Sequence, residues 1–334
     1  MKPPVFILFG PTASGKTALL EKLFGSRHLK TEIISADSMQ VYRGMDTGTA
    51  KPSPGERAKT PHHLIDIRNP DEQFNAGEFV RLAEEACLAA AGRGALPVVS
   101  GGAGFYLKNL VLGLSEAPPS DEKIRLALRE ELARRGAAAL MEELAVADPV
   151  SAGRIHINDE YRLLRALEVF RVSGRPLSSY ASPWNTLREK SLTEPQGHGE
   201  IGNGETPRPF RFLLIGLRRN REDLYRRINA RTAAMFRAGL PAEVRRLYEA
   251  GYTPADPGLR AIGYREFFVE DNGVWRLSED LAGVEALVAQ NSRRYAKRQI
   301  TFFASLPGVT WIDCGEDDPV RETEAALEAF LNPD

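Results

Sequence analysis

The stretch GPTASGKT, residues 10–17, lies near the start of the chain and decides the fold. It matches G-x-x-x-x-G-K-[ST], the pattern of a loop whose backbone N–H groups surround phosphate. A short apolar run at 5–9 precedes it, as expected of a buried parallel strand, and residues 18–24 have a helical pattern. This order places a helix N-terminus and several N–H donors around one anion. The sequence therefore predicts a site for a diphosphate or polyphosphate, but not which reaction occurs there.

The loop supplies both charge and a metal ligand. Lys16 adds a positive charge for phosphate, and the Thr17 hydroxyl is a typical Mg²⁺ ligand. We expect the anion to contact most of the loop, namely Gly10, Thr12, Ala13, Ser14, Gly15, Lys16 and Thr17.

Composition narrows the class of protein. The 334 residues are 43% hydrophobic and 27% charged, which is ordinary for a soluble globular protein. The two cysteines lie outside any CxxC pattern, which favours a reducing, cytoplasmic setting over a disulfide framework or zinc site. The first strand comes too early for a signal peptide, and no apolar run is long enough to span a membrane. Because the net charge is −1, a nucleic-acid partner has to be held by local basic patches.

Strand and helix signals alternate at the start of the chain, which predicts an α/β fold with a parallel sheet. Short apolar runs at 32–35, 64–67 and 96–100 are predicted strands, and those at 210–217 and 309–313 return to the sheet. The pattern indicates a P-loop core at 1–115, a mostly helical insertion domain at 116–182, a flexible loop rich in Gly and Pro at 183–209, and the C-terminal part of the core with basic helices at 210–334.

Asp37 follows the second predicted strand directly, in the segment SADSMQVY. The carboxyl ends of parallel strands line the ligand crevice, so Asp37 is expected near the phosphate loop. In that position it suits a general base or a metal-linked carboxylate, although an Asp there can also cap the next helix. His62 and His63 have no carboxylate or cysteine at ligand spacing and are interpreted as structural.

Basic residues cluster at 291–303, where Arg293, Arg294, Lys297 and Arg298 share one helix with Tyr295 and no acidic residue. Such a basic ridge suits a phosphate backbone, whereas a merely solubilising helix face typically also carries Glu and Asp. Arg227 and Arg231, four apart on a helix after a returning strand, could be aimed at a diphosphate. A surface helix remains the alternative for that pair, as a solvated face does for Arg162 and Arg165.

Together these segments resemble the tRNA dimethylallyltransferase family, P-loop prenyltransferases that modify the adenosine 3′ of the anticodon. The resemblance runs from GPTASGKT to YAKRQITFF at 295–303 and covers nearly the whole chain. The matching segments between them are SADSMQVYRGMDTGTAKP, PHHLIDI, SGGAGFYLKNL, INDEYRLLRALEV, SGRPLS, GLPAEVRRL and AIGYRE.

The resemblance implies a reaction and a set of roles. A dimethylallyl group would pass from dimethylallyl diphosphate to N6 of that adenosine, and diphosphate would be released. Lys16 and Thr17 would hold the diphosphate, with Mg²⁺ at Thr17. Asp37 matches the proposed general base, and Arg231 matches an arginine associated with the prenyl diphosphate.

The resemblance also implies contacts with the anticodon stem-loop of tRNA. The segments that match tRNA-facing parts of the family contain Asp37, Ser38, Met39, Gln40, Ala103, Arg125, Tyr161, Arg162, Leu163, Leu164, Arg165, Ile262, Gly263, Tyr264, Arg294, Lys297 and Arg298. Ala103 stands where similar proteins usually carry Thr, and Ala304 ends a segment that is usually Trp-Phe-Arg. Both departures affect local contacts rather than the reaction. We expect a monomer with no membrane association.

Three other functions share parts of this pattern. A nucleotide kinase has the phosphate loop and Mg²⁺, but has no use for about 150 further residues with a basic, aromatic helix. An isopentenyltransferase acting on free AMP shares both the loop and Asp37, and only the basic ridge favours polymeric RNA over AMP. An RNA-binding protein without prenyl chemistry would not need the intact Lys16, Thr17 and Asp37.

Overall fold

The computed structural model describes residues 2–25, 29–180, 208–315 and 318–332. The chain divides into two compact units, Met1–Val111 with His198–Asp334, and Leu112–Gly197. Within the described ranges, no helix is both long enough and apolar enough to cross a bilayer.

The first unit contains a six-stranded, all-parallel sheet of the P-loop α/β type in the order β3-β2-β4-β1-β5-β8. Two further strands, β6 and β7, form an antiparallel hairpin. The strands are β1 Pro4–Phe9, β2 Thr31–Ser35, β3 His62–His63, β4 Leu96–Gly101, β5 Arg211–Arg218, β6 Phe268–Asp271, β7 Val274–Leu277 and β8 Val309–Asp313. Strand β1 is central, with Phe6 beside Val98 of β4 and Leu213 of β5. The glycine-rich loop that follows β1 therefore emerges at the middle of the sheet.

The helices begin where the sequence provides caps. Side chains of Asn75, Asp121 and Asp159 accept hydrogen bonds from the first turns of the helices that follow them. The helices are α1 Lys16–Phe24, α2 Pro54–Lys59, α3 Ala76–Gly92, α4 Gly104–Leu112, α5 Glu122–Ala147, α6 Pro149–Ala152, α7 Glu160–Ser173, α8 Arg221–Arg237, α9 Leu240–Glu249, α10 Leu281–Phe303 and α11 Pro319–Leu331. Helix α5 is interrupted at Gly136, whose φ of 78° and ψ of 162° are not helical.

Each unit has its own apolar core. In the first unit, Phe6 and Leu8 of β1 pack with Leu23 of α1 and Leu327 of α11. A separate cluster in the same unit joins α9, the β6–β7 hairpin and residues 41–45. In the second unit, α5 and α7 bury a leucine seam that consists of Leu128, Leu140, Leu144, Leu163, Leu164 and Leu167.

One prediction of secondary structure was wrong, and one pair of strands was missed. The predicted strand at 64–67 is a turn, and the strand stops at His63. Leu64 and Asp66 have φ of 62° and 57°, because Asp66 turns to accept hydrogen bonds from Lys51 and Arg57. The hairpin β6–β7 was not predicted, although Asn272 and Gly273 at its turn form a strong hairpin pair. The predicted loop at 183–209 lies, except for its last two residues, outside the described residues.

Candidate active site

The phosphate loop joins β1 to α1 through two residues in the left-handed region, Ala13 with φ of 63° and Gly15 with φ of 108°. The Ser14 N–H donates to the Pro11 carbonyl at 3.1 Å and closes the turn. Gly15 is the N-cap of α1, so the helix N-terminus opens directly into the loop. The Lys16 ammonium folds over the loop and donates to the carbonyls of Gly10 at 2.9 Å and Pro11 at 3.1 Å. This is the geometry that the sequence pattern predicts for an anion site.

Lys16, Arg231 and Asp37 share one electrostatic environment. Burial and, to a smaller extent, the charge of Arg231 lower the pKa of the Lys16 ammonium to about 8, while the Asp37 carboxylate acts in the opposite direction. Burial also lowers the pKa of Arg231, again against Asp37. Two cations beside one carboxylate leave a net positive charge in this part of the cleft, which favours an anion.

Two further arginines bind the phosphate loop, Arg219 just after β5 and Arg227 in α8. The Nε group of Arg219 donates to the Ser14 carbonyl at 2.8 Å, and that of Arg227 donates to the Ala13 carbonyl at 2.9 Å. A Cβ on Gly15 would lie 3.5 Å from Nη2 of Arg219 and 3.9 Å from Nη2 of Arg227. Asp223 fixes Arg219 from the other side at 2.9 Å. Sequence reasoning missed Arg219, although its place one residue after β5 was a usable signal.

Asp37 divides its two carboxylate oxygens between two tasks. Oδ1 accepts the N–H groups of Met39 at 2.8 Å and Gln40 at 3.3 Å, which caps the turn after β2. Oδ2 has no hydrogen-bond partner in the part of the chain that the structure describes. The capping role and the chemical role that the sequence left open are therefore compatible in one side chain.

These groups line one cleft of about 1610 Å³ at the carboxyl ends of the strands. Its walls include the phosphate loop, Asp37, Gln40 and Arg231, and from α10 Tyr295 and Gln299. Thr17 is exposed to the cleft and Asp37 shares it, so hydroxyl and carboxylate oxygens, which Mg²⁺ prefers, are both present. No cluster of three His, Cys, Asp or Glu occurs among the described residues.

Helix α10 contributes to the cleft with one face and to the surface with another. Burial and the nearby Asp37 raise the pKa of the Tyr295 phenol to about 12, so it is a neutral hydrogen-bonding group. Arg294, Lys297 and Arg298 are exposed, and the guanidinium of Arg298 lies 5.7 Å from the centre of the Tyr295 ring. Arg293 does not join this basic ridge, because it donates to Asn229 of α8 at 2.5 Å.

The other segments predicted to face tRNA in the first unit are mostly engaged inside the protein. The Gln40 amide accepts from Ser35 at 2.8 Å and donates to the Thr49 and Ala50 carbonyls at 3.4 Å. Tyr264 is fully buried, and its hydroxyl donates to Glu243 at 2.6 Å, so its side chain does not face solvent. Ser38, Met39, Ala103 and Ile262 are half-buried, while Gly263 is buried.

In the second unit, the predicted set separates into packed and exposed members. Leu163 and Leu164 are buried in the leucine seam. Arg125 and Arg165 both donate to the buried Glu168, at 3.1 Å and 3.0 Å. The exposed members are Tyr161 and Arg162, and Arg125 lies 5.6 Å from the centre of the Tyr161 ring.

The family model described as IPP transferase matches residues 40–306. The chain belongs to the IPP transferase family. A protein named tRNA dimethylallyltransferase from Geobacter sulfurreducens is 41% identical over 312 residues, which cover 93% of this chain and 92% of that protein. A protein of the same name from Geobacillus thermodenitrificans is 43% identical over 336 residues, covering 99% and 96%. The resemblance that the motifs indicated is thereby confirmed.

Solved structures of this IPP transferase family agree with the fold. The tRNA isopentenylpyrophosphate transferase of Bacillus halodurans superposes with a TM-score of 0.63 at 32% identity, covering 99% of this chain and 97% of that one. A eukaryotic dimethylallyltransferase described as acting on tRNA gives a TM-score of 0.73 at 22% identity, covering 98% and 79%. At that identity the second match shows the shared fold only.

Proposed function

We propose that this chain transfers a dimethylallyl group from dimethylallyl diphosphate to N6 of the adenosine 3′ of the anticodon in tRNA, releasing diphosphate. The observation that carries the proposal is the convergence of Lys16, Arg231 and Asp37 in the cleft of the phosphate loop. The relatives at 41% and 43% identity are named tRNA dimethylallyltransferase, which supports the proposal.

The reaction is a displacement at carbon. The N6 nitrogen forms a bond to C1 of the dimethylallyl group, the C1–O bond breaks, and diphosphate leaves with the electron pair. The proton lost by N6 passes to Asp37, whose Oδ2 is the available acceptor. The loop N–H groups, Lys16 and Arg231 stabilise the charge that develops on the diphosphate.

Mg²⁺ belongs to this proposal as a partner of the diphosphate. The Thr17 hydroxyl would hold it in the cleft. When bound, the ion would neutralise charge on the leaving group.

The tRNA is proposed to meet the protein through exposed cations and aromatic rings. Arg294, Lys297 and Arg298 suit the phosphate backbone, and Tyr161 with Arg162 offer a stacking surface and a charge on the second unit. The target base has to leave its stack to reach a cleft that contains Asp37. We also propose that the protein acts as a monomer in the cytoplasm, as the sequence led us to expect.

Labelled dimethylallyl diphosphate tests the proposal directly. Incubated with Mg²⁺ and either tRNA, AMP or ATP, the protein is expected to label only tRNA, and no ATP should be consumed. A matched anticodon stem-loop with guanosine at the target position lacks the N6 amine and should stay unlabelled. Labelling of AMP alone would make the protein an adenylate isopentenyltransferase, and phosphoryl transfer from ATP would make it a kinase.

A further inference from the structure

Gln299 lies on α10 at the point where the phosphate loop meets the turn after β4. Its side chain is 6% exposed. Its Oε1 atom accepts the Thr12 N–H at 2.9 Å, and its Nε2 group donates to the Gly102 carbonyl at 2.8 Å. The buried amide of Gln299 therefore bonds to the phosphate loop through its oxygen and to the turn after β4 through its nitrogen.

Steric contacts hold the same helix against both loops. Ala13 of the phosphate loop packs against the cluster of Leu224, Ile228 and Ala296, and Ala296 precedes Gln299 by about one turn. A Cβ on Gly102 would lie 2.5 Å from Nε2 of Gln299, and one on Gly104 would lie 2.4 Å from the Phe302 ring. The two glycines allow α10 to approach the turn after β4 closely. The position of α10 is therefore linked to the position of that turn.

The hydrogen bond from Thr12 also selects which loop donors remain for an anion. The N–H groups of Thr12 and Ser14 are used inside the protein, by Gln299 and by the Pro11 carbonyl. Those of Ala13, Gly15, Lys16 and Thr17 make no such hydrogen bond within the described residues and remain for an anion. A loop held by a fixed partner is preorganised, so it loses less conformational freedom when a ligand binds.

The basic ridge belongs to the same helix. Arg298 is the neighbour of Gln299 in the chain, and Lys297 and Arg294 lie on the preceding turns. RNA that holds these exposed cations restrains α10, and α10 holds Thr12 through Gln299. We propose that Gln299 is a positioning residue that shapes the diphosphate cradle and links it to RNA bound on the ridge, so that RNA binding tightens diphosphate binding.

This inference rests on the proposed function, and binding measurements test it without requiring turnover. Inorganic diphosphate with Mg²⁺ is titrated calorimetrically into the full chain, with and without an anticodon stem-loop. Gln299→Met keeps the length of the side chain and removes both hydrogen bonds. Gln290→Met makes the same change at an exposed position of the same helix and is the matched control.

We expect Gln299→Met to weaken diphosphate binding about tenfold while changing stem-loop affinity less than twofold. The stem-loop should tighten diphosphate binding at least fivefold in the wild type and in Gln290→Met, and less than twofold in Gln299→Met. By linkage, diphosphate should tighten stem-loop binding by the same factor.

A second variant covers the case in which Gln299→Met does not fold. Gly102→Ala leaves Gln299 in place but forces its amide away, and should weaken diphosphate binding in the same direction. Thermal melting identifies the variants that are folded. Normal diphosphate binding in folded variants, or unchanged coupling, would overturn the inference. Failure of the wild type to bind diphosphate would instead overturn the proposed donor site.

Discussion

Asp37 is the residue at which one substitution best separates a base from a metal ligand. Asp37→Asn keeps the shape and the cap on Met39 and Gln40 but removes the basicity. A general base contributes about 10²–10⁴-fold, or roughly 3–5 kcal/mol of barrier. We expect single-turnover transfer at saturating Mg²⁺ and donor to slow by that factor, with little change in tRNA affinity. Intact single-turnover chemistry, with a defect only in Mg²⁺ or diphosphate affinity, would make Asp37 a metal ligand.

Lys16 should make diphosphate binding weaker as pH rises. Its pKa of about 8 means that the ammonium loses its proton just above neutrality, and a bound diphosphate favours the protonated form. Diphosphate binding should therefore take up protons near pH 8 and weaken as pH rises from 7 to 9. Lys16→Arg keeps the charge throughout this range, so it reports the titration of the ligand alone. Equal pH dependence in both proteins would contradict this assignment.

The same depressed pKa has a consequence for stability. Because the folded state holds Lys16 below its usual pKa of 10.5, protonated Lys16 opposes folding at neutral pH. That penalty lessens as pH rises from about 8 towards 10.5. The site therefore carries a stability cost at the pH at which it binds an anion, as functional sites often do.

Sequence reasoning found the residues whose chemistry is local and missed those whose role depends on distant partners. Lys16, Thr17 and Asp37 could be predicted because each directly follows a strand or loop pattern. Gln299 could not, since its contact with Thr12 spans 287 residues and a lone buried Gln carries no periodic signal. Tyr264 shows the opposite case, because the resemblance placed it in a tRNA-facing segment and the fold buries its side chain against Glu243.

Among the elements, α10 carries the most direct prediction about RNA. Arg294 and Arg298 are exposed and make no ion pair within the described ranges. The double variant Arg294→Ala with Arg298→Ala should weaken all tRNA substrates alike, and each lost phosphate contact should reduce the salt slope by roughly 0.7–0.9. Filter binding at several salt concentrations measures both quantities.

Helix α9 offers the control for this measurement. Arg245 and Arg246 are also exposed, so changing both to Ala removes the same net charge from another face of the same unit. Affinity and salt slope should then stay close to those of the wild type. Equal losses in the two double variants would indicate a general charge effect and no specific ridge.

Element boundaries were predictable where the apolar pattern is local. Strand β8 begins and ends at 309–313, where the sequence pattern placed it. The prediction at 64–67 was wrong because a short apolar run is also typical of a buried strand. The ion pairs of Asp66 with Lys51 and Arg57 stabilise the turn at this point. Such pairs between separate segments cannot be read from the periodicity of the sequence.

At the scale of the whole molecule, the site is assembled from distant parts of the chain. Residues 10–17, 37, 219–231 and 295–299 meet because β1 pairs with both β4 and β5 in the middle of the sheet. Alternating strand and helix signals predict a parallel sheet, but they do not specify which strands are neighbours. The strand order is what places Arg219 and Arg231 beside a loop at the other end of the sequence.

The edge of this sheet depends on one buried carboxylate. Glu32 of β2 is 3% exposed and accepts from Nε and Nη2 of Arg93, at 2.9 Å and 2.6 Å, while Nε2 of His63 in β3 lies 2.8 Å from it. These partners lower the pKa of Glu32 from 4.5 to about 2. Because the folded-state pKa is depressed, the ionised Glu32 stabilises the fold fully above pH 4.5, and this contribution is lost as pH falls towards 2.

We therefore expect Glu32→Gln to lower the free energy of unfolding at pH 6, by at most about 3 kcal/mol. The difference from the wild type should shrink as pH falls from 4.5 towards 2, because Glu32 binds a proton in the unfolded state over that range while the folded state keeps it ionised. Urea unfolding of both proteins at several pH values measures this, and Glu85→Gln, in an exposed ion pair with Arg81, is the control that should change little. A Glu32→Gln difference that does not depend on pH would show that packing, and not the charge of Glu32, joins β2 to β3 and to the end of α3.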